Sequence, residues 1–520
     1  MLVVLIGLLA LARRAEALTT DALLDTLQHT GFNYFWNQAN PTNGLVRDRS
    51  QSGSVCSIAS TGFGLSSICI AIDHGWITRE AGRTRVLTTL NTFWNGPQGP
   101  GDTGTIGYKG LYYHWLDMFT ATRTWDSELS TIDTALLFAG ILDAKQYFSG
   151  ADPEEIQVQA LADSIYRRAD WEFVRNGQPR IMMGWKPTTG FQSFGQWTGY
   201  NEAMILYILA LGSPTHPVPA STWSSWTSTY SYATAYGWSY IIFAPLFGHQ
   251  YSHCWIDFRG RTDAFLGARG ITYFENSRRA TLANHMYCFL NPNHWAAYSD
   301  TLWGLTASDD PLVGYQAHGA PPQQNDNGTI TPTAAASSIA FAPEIVIPTL
   351  HNMYNNWPSL WSAYGFKDAF CPRLNWYGAD VLGIDQGPIV MMIENYRTNR
   401  VWDRFMRNPE IQLGLVRAGF VPFSDAVPEP PGSVNALQLS SAPNPTHGSA
   451  TVRFRIADPG PVRLGAFDIM GREVARLVDA DLAAGEHTVV FHNDRLAAGV
   501  YLLRLEHGGR AVLNRTVRLP

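Results

Sequence analysis

Carboxylates set among glycines and aromatic rings are the residues of this chain best suited to chemistry: a carboxyl group can give or take a proton, and a ring offers a flat apolar face. In GIDQGPIVMMIENYRT (383–398), Asp385 stands between Gly383 and Gly387, just ahead of an apolar run. Pro388 suits the first turn of a helix, where a missing N–H costs nothing, and Ile389, Val390, Met391, Met392, Ile393 and Tyr396 supply the helix body. Asp385 is thus expected on a loop held by a buried helix. Taken locally, complementing the helix dipole is its simpler role. Asp126 and Asp133 lie two turns apart if one helix includes both, which would put them on one face. Asp133 interrupts the apolar series Leu129, Ile132, Leu136, Leu137, so it must face a cleft or find a buried partner, whereas Glu128 reads as solvated. Tyr112, Tyr113, His114, Trp115 and Asp117 form one aromatic segment, and Trp255, Asp257 and Arg259 another. For each of these, core packing or an ion pair is as good a reading as ligand contact. His249 and His253 have i, i+4 spacing, but Gln250 replaces the glutamate of H-E-x-x-H and no third ligand is evident, so no metal is expected there. The run 325–328 reads as a turn rather than a calcium loop, and no nucleotide fingerprint or G-x-S-x-G elbow appears. No cofactor is expected.

The elements that must position these residues are mostly helical up to about residue 424. Thr20 or Asp21 can cap a first helix, a second is expected over 58–72, and Thr78 starts a third. A fourth carries Ile132 to Ala144 and stops at Gly150, and another is expected over 153–173. Further helices are expected over 202–211, 261–290, 333–354 and 389–406, and such repeated pairs with little sheet suggest a toroid of helices around a cleft. The composition changes at VPEPPG (427–432), a proline-rich linker spanning 425–439. Beyond it, short alternating runs over 450–456, 462–467, 488–491, 500–505 and 512–517 read as a small β-sandwich over 440–520. At the other end, the apolar run 2–12 and the Ala15-Glu16-Ala17 pattern read as a signal peptide (1–17), too short to span a bilayer. A net charge of −6 with no basic cluster argues against nucleic acid. The 18 Trp, 22 Tyr and 25 Phe, beside only 15% charged residues, suit a cleft that stacks sugar rings. Five cysteines are too few for a disulfide scaffold and are expected as buried thiols, although Cys56 with Cys69 or Cys254 with Cys288 could pair.

Two resemblances follow. The tail's PNPTHGSATVRF, DIMGREVARL, AAGEHTVVF and AAGVYLLRL resemble the C-terminal sorting domain of type IX secretion cargo, similar to the FlgD-type Ig-like module. That implies engagement of the type IX machinery and a secreted, extracellular or outer-membrane-surface location. The larger part resembles the glycoamylase-like family, glycoside hydrolase family 144. The resemblance is carried by GFNYFWNQANPTNGLVRDRS, SIASTGFGLSSICIAIDHGWI, GYKGLYYHWLDM, WDSELSTIDTALLFAGIL, GYNEAMILYILALGSPTHP, SHCWIDFRG, TPTAAASSIAFAPE and GIDQGPIVMMIENYRT. It implies an (α/α)6 barrel over 18–424 that cleaves β-1,2-glucan, internally and with inversion. It also makes Glu202 the general acid, with Asp385 deprotonating water directly or through a relay. Beside them, Asp126 and Asp133 are candidates to bind sugar hydroxyls or to share the acid-base work, and Tyr112, Tyr113, His114, Trp115, Asp117, Trp197, Tyr200, Trp255 and Arg259 are candidate substrate contacts. A helix start would hold Glu202 ionised, so burial near Trp197 and Tyr200 must outweigh the dipole for it to serve as an acid. The competing expectations are a hydrolase or phosphorylase of another β-linked glucan or oligosaccharide, and a non-catalytic glycan-binding surface protein.

Overall fold

A computed structural model describes residues 18–423, 437–444, 446–468, 472–508 and 510–519, the side chains of 510, 511, 513 and 515 excepted. The expected signal peptide and nearly all of the expected linker lie outside the described residues. The chain divides near Ser424 into two compact units.

The first unit is built on helices that alternate in burial. One set, each helix only partly buried, comprises α1 (Thr20–Asn37), α3 (Arg79–Asn95), α5 (Pro153–Arg167), α7 (Ser221–Thr227), α9 (Tyr273–Leu290) and α11 (Pro343–Asn356). Between them run α2 (Ile58–Asp73), α4 (Thr131–Tyr147), α6 (Met204–Gly212), α8 (Tyr251–Trp255), α10 (Pro332–Ala336) and α12 (Gly383–Thr398), buried on nearly every side. A helix that is apolar all round must be surrounded by others, so the even-numbered set forms an inner ring and the odd-numbered set its outer wall.

Small residues and buried hydrogen bonds close that ring. A Cβ on Gly140 of α4 would sit 2.0 Å from the Gly62 carbonyl oxygen of α2, so these backbones approach as only glycine allows. Ser252 of α8 accepts from Ile205 N–H of α6 at 3.0 Å and donates to the Glu202 carbonyl at 2.9 Å. Gln250 donates to the Ala334 carbonyl of α10 at 2.8 Å, and Thr333 of α10 donates to the Asp385 carbonyl of α12 at 3.1 Å. Each bond satisfies a group that burial would otherwise leave costly.

Thr78 and Ser57 cap α3 and α2 by side-chain bonds to the first turn, as Ser130 does for α4. Several long expected helices are instead interrupted. The run 261–290 breaks at Gly270, with φ +67°, before Thr272 caps α9, and 389–406 breaks at Asn399, with φ +60°. The residues 153–173 split where Asp170 caps a separate turn, Trp171–Arg175. The helix carrying Asp385 begins earlier than expected. Leu382 is its extended N-cap residue and the Gln386 N–H already reaches the Leu382 carbonyl, so Asp385 lies in the first turn and Pro388 inside the helix.

Among the described residues, the regular elements of the second unit are strands. Gln438–Ala442, Ser449–Ile456 and Gly485–His492 form one antiparallel sheet, in that order. Glu473–Leu482, Gly460–Phe467, Gly499–His507 and Arg510–Arg518 form the other. Phe454, Ile456, Leu464, Phe491, Leu503 and Leu505 belong to one core shared by the two sheets. Leu437 and Leu439 pack on that core, which is why a strand begins inside the stretch expected as linker.

Candidate active site

A cavity of about 590 Å³ opens where the N-termini of five inner helices converge. Ser57 brings the start of α2 to it, Ser130 and Asp133 that of α4, Glu202 the approach to α6, Tyr251 the start of α8, and Leu382 and Ile384 that of α12. Trp115, Phe194, Trp197, Phe247 and Tyr315 supply aromatic walls.

Glu202 is fixed by the turn that precedes α6. Gly199 takes φ +69°, Asn201 binds the carbonyls of Thr198 and Gly199 and accepts from Ala203 N–H at 3.1 Å, and Ser252 holds the Glu202 carbonyl. Its side chain is half-buried and faces the cavity. Burial, helped by the charge of Asp133, pushes its carboxyl up to about 7. Desolvation therefore outweighs the backbone hydrogen bond that opposes it, and Glu202 can hold a proton near neutral pH.

Across from it runs a chain of three charged groups. His114 Nδ1 lies 2.8 Å from Glu128 Oε1, and its Nε2 lies 3.6 Å from Asp133 Oδ2. Ser130, which caps α4, also donates to Asp133 at 2.5 Å. Burial pulls the imidazole down, but Asp133, Glu128 and Asp48 outweigh it and raise His114 to about 9. Burial opposes ionisation of Glu128 too, yet the His114 bond and charge hold it below the usual carboxylate range. Ligand atoms of His114, Glu128 and Asp133 lie within 4.8 Å of one another, so this trio could hold a cation, for which a proton on His114 competes.

Asp385 does not line the cavity. It lies buried behind the Leu382–Ile384 wall, with its carboxyl beside that of Asp368. Asp368 in turn accepts from Asp309 N–H at 2.6 Å. A single guanidinium serves the neighbourhood: Arg49 reaches Asp309 at 3.1 Å, Asp48 at 3.4 Å and Asp380 at 3.6 Å. Burial, then the charges of Asp368, Asp309 and Asp48, hold the Asp385 carboxyl well above the ordinary range.

Comparison with known proteins adds to this geometry. A family model, Glycoamylase ("Putative glucoamylase"), matches residues 195–409. An exo beta-1,2-glucooligosaccharide sophorohydrolase (non-reducing end) of Parabacteroides distasonis is 31% identical over 432 residues, 76% of this chain; the chain spans 58% of that relative's length. The structure of an endo-beta-1,2-glucanase from Chitinophaga pinensis, in complex with sophorotriose and glucose, is 32% identical, with a TM-score of 0.71. That match covers 78% of this chain and 99% of the other. The chain belongs to the glycoamylase-like family. An endo-beta-1,2-glucanase from Talaromyces funiculosus, only 12% identical with a TM-score of 0.55, shares the fold.

Against the family-based expectations, the structure brings Glu202, Asp133, His114, Trp115 and Trp197 to one cavity and sets the others elsewhere. Asp126 and Asp133 share no helix: α4 begins at Thr131, and the short strand Leu129–Ser130, paired with Gly184–Trp185, intervenes. Asp126 is exposed and pairs with Arg123 at 2.8 Å and Lys186 at 2.5 Å. Glu128, expected in solvent, lines the cavity instead. Tyr112 is core, its hydroxyl bound to the Phe93 carbonyl, and Tyr113 is buried under Arg123. Asp117 closes its own turn by accepting from Phe119 and Thr120. Tyr200 packs against Tyr230 and Tyr273 behind the wall. Trp255 is spent in the ring, stacked on Phe63 and donating to Ser66 at 2.8 Å. Arg259 lies at the opposite end of the barrel, paired with Asp257 at 2.9 Å and 4.2 Å from the Trp402 ring centroid. His249 and His253 are buried, and burial drives both down to about 3, so they are neutral structural groups. All five cysteines are buried free thiols. Among the described residues no helix is long and apolar enough to cross a membrane.

Asp48, Arg49, Asp309, Tyr315 and Asp368 were not singled out from the sequence. Asp48 and Arg49 stand in the block 31–50 that carries the family resemblance, which was a usable signal; Asp368, in Lys367-Asp368-Ala369, had none.

Proposed function

We propose that the chain hydrolyses β-1,2-glucan, acting internally and with inversion, with Glu202 as general acid. The observation that carries this is a carboxyl group able to stay protonated near pH 7 on the wall of an aromatic-lined cavity. Relatives named as β-1,2-glucan hydrolases support the substrate. Trp115 and Trp197 are the stacking faces for the sugar rings. Glu202 gives its proton to the glycosidic oxygen as the bond to the anomeric carbon breaks, and water attacks from the opposite face. Asp385 takes the proton from that water through a bridging hydroxyl or water, because it lies one layer behind the wall. Asp133 and the His114 imidazolium fix the charge around Glu202.

The strand unit fits an Ig-like type IX sorting module. With a signal peptide at 1–17, it would carry the barrel through the periplasm to the cell surface or the medium.

The test incubates the purified protein with linear β-1,2-glucan, β-1,3-glucan and starch, with and without phosphate. Release of β-1,2-linked oligosaccharides of mixed length, independent of phosphate, is expected. A phosphate requirement, or binding without release, would replace this reading by a phosphorylase or a glycan-binding protein.

A further inference from the structure

Asp368 is nearly fully buried, does not line the cavity described above and stands in no recognised motif, yet it lies beside Asp385. Each of the two carboxyl groups has one oxygen, Asp385 Oδ2 and Asp368 Oδ1, that no donor from any other described group reaches. Two carboxylates cannot be buried face to face without a cation or a proton between them. Among the described residues the cation whose charge acts on the pair is Arg49, and it is already divided among Asp48, Asp309 and Asp380. The groups around the pair sharpen the deficit. Asp309 on the strand Ala307–Asp310 and Asp48 add negative charge, and the Tyr315 and Tyr251 hydroxyls are neutral.

We propose that Asp368 is a positioning residue for the hydrolysis described above: it and Asp385 share one proton and act as a single base. Asp309 N–H donates to Asp368 Oδ2 and so favours the negative charge there, leaving the proton on Asp385 in the resting pair. During attack, Asp385 takes a proton from water while passing its own to Asp368. The pair goes from one negative charge to none, and Glu202 goes from neutral to charged as its proton leaves with the departing sugar. Solvent then resets both. Burial holds both carboxyls above the ordinary aspartate range, with the charge of Asp309 adding to it at Asp368 and that of Asp368 at Asp385, in keeping with a pair that titrates as a unit.

The inference rests on the proposed hydrolase reading, but its test does not need turnover. Infrared spectroscopy of the resting protein at about pH 8, where Glu202 is ionised, should show one protonated buried carboxyl group. That band should shift in frequency or in the pH at which it titrates in Asp368→Asn and in Asp385→Asn alike, because each change removes one member of the pair, and it should stay unmoved in Glu202→Gln. Reading the pair from both sides covers the case in which one variant folds poorly. With β-1,2-glucan, Asp368→Asn should lower kcat about tenfold with KM little changed, since Asp385 alone is a weaker base. A wild-type protein without the band, or a band that both aspartate substitutions leave unmoved, overturns the shared proton. A band that behaves as stated in a protein with no activity on any glucan leaves the pair standing and sinks the hydrolase reading.

Discussion

Acids stand at both ends of the inner ring, and Asp385 and Glu202 at one end are treated differently from Asp143 and Glu394 at the other. At the N-terminal end, Asp385 on α12 meets another carboxyl instead of a cation, and Glu202 beside α6 faces an open cavity with its pKa raised to about 7. At the C-terminal end, Asp143 on α4 makes a buried two-pronged bond to Arg404 at 2.6 and 2.8 Å. There too, Glu394 on α12 is bound by His74 at 2.8 Å, Gln28 at 3.0 Å and Thr398 at 2.6 Å. Burial opposes its ionisation, but those bonds outweigh it and hold Glu394 at about 2. The helix dipole alone predicts the reverse order, favouring charge at N-termini. Desolvation and the supply of partners decide instead. One end uses Asp143 and Glu394 to hold the barrel together, and the other keeps Asp385 and Glu202 under-compensated, as proton transfer requires.

Substitutions at the two ends should separate these roles. The largest effect on chemistry is expected from Glu202→Gln, which should lower kcat at least about a hundredfold while leaving the melting temperature close to wild type. A proportionate loss of stability would erase the contrast. Next, Arg404→Met strands the Asp143 carboxylate and should cost about 3–5 kcal/mol in urea unfolding, with turnover per folded molecule unchanged. A smaller shift is expected in pH dependence. Activity that needs protonated Glu202 should fall as pH rises through about 7. Removing the Asp133 charge lowers the Glu202 pKa, so Asp133→Asn should move that alkaline limb of kcat/KM to lower pH. Movement to higher pH would show that Asp133 acts on something else. Smallest of all, Asp126→Ala should leave kcat and KM as they are, since its side chain is exposed and meets only Arg123 and Lys186.

Helix starts were the most legible part of the sequence, because a capping Ser or Thr acts through the few residues after it. Thr78 and Ser130 show this. Helix length was less so: Gly270 and Asn399 end helices by adopting positive φ inside runs that look continuous in composition. The paired helices and the strand-rich tail could be read from periodicity and from the change at the proline-rich run. Within the site, Glu202 came from resemblance, and its raised pKa depends on burial that no local pattern encodes. Trp255 and Trp197 look alike as letters, yet one is spent against Ser66 inside the ring and the other lines the cavity. The exchange of Asp126 for Glu128 turned on a two-residue strand, and alternation across Leu129–Ser130 is too short to show in sequence. Asp368 meets Asp385 only through tertiary packing.

The most direct test of the account is a crystal structure of Glu202→Gln bound to a β-1,2-linked glucan oligosaccharide. The account predicts sugar rings against Trp115 and Trp197, with a glycosidic oxygen within hydrogen-bond reach of the residue 202 side chain. A chain of sugars seated away from residue 202, or along the opposite end of the barrel, would contradict it.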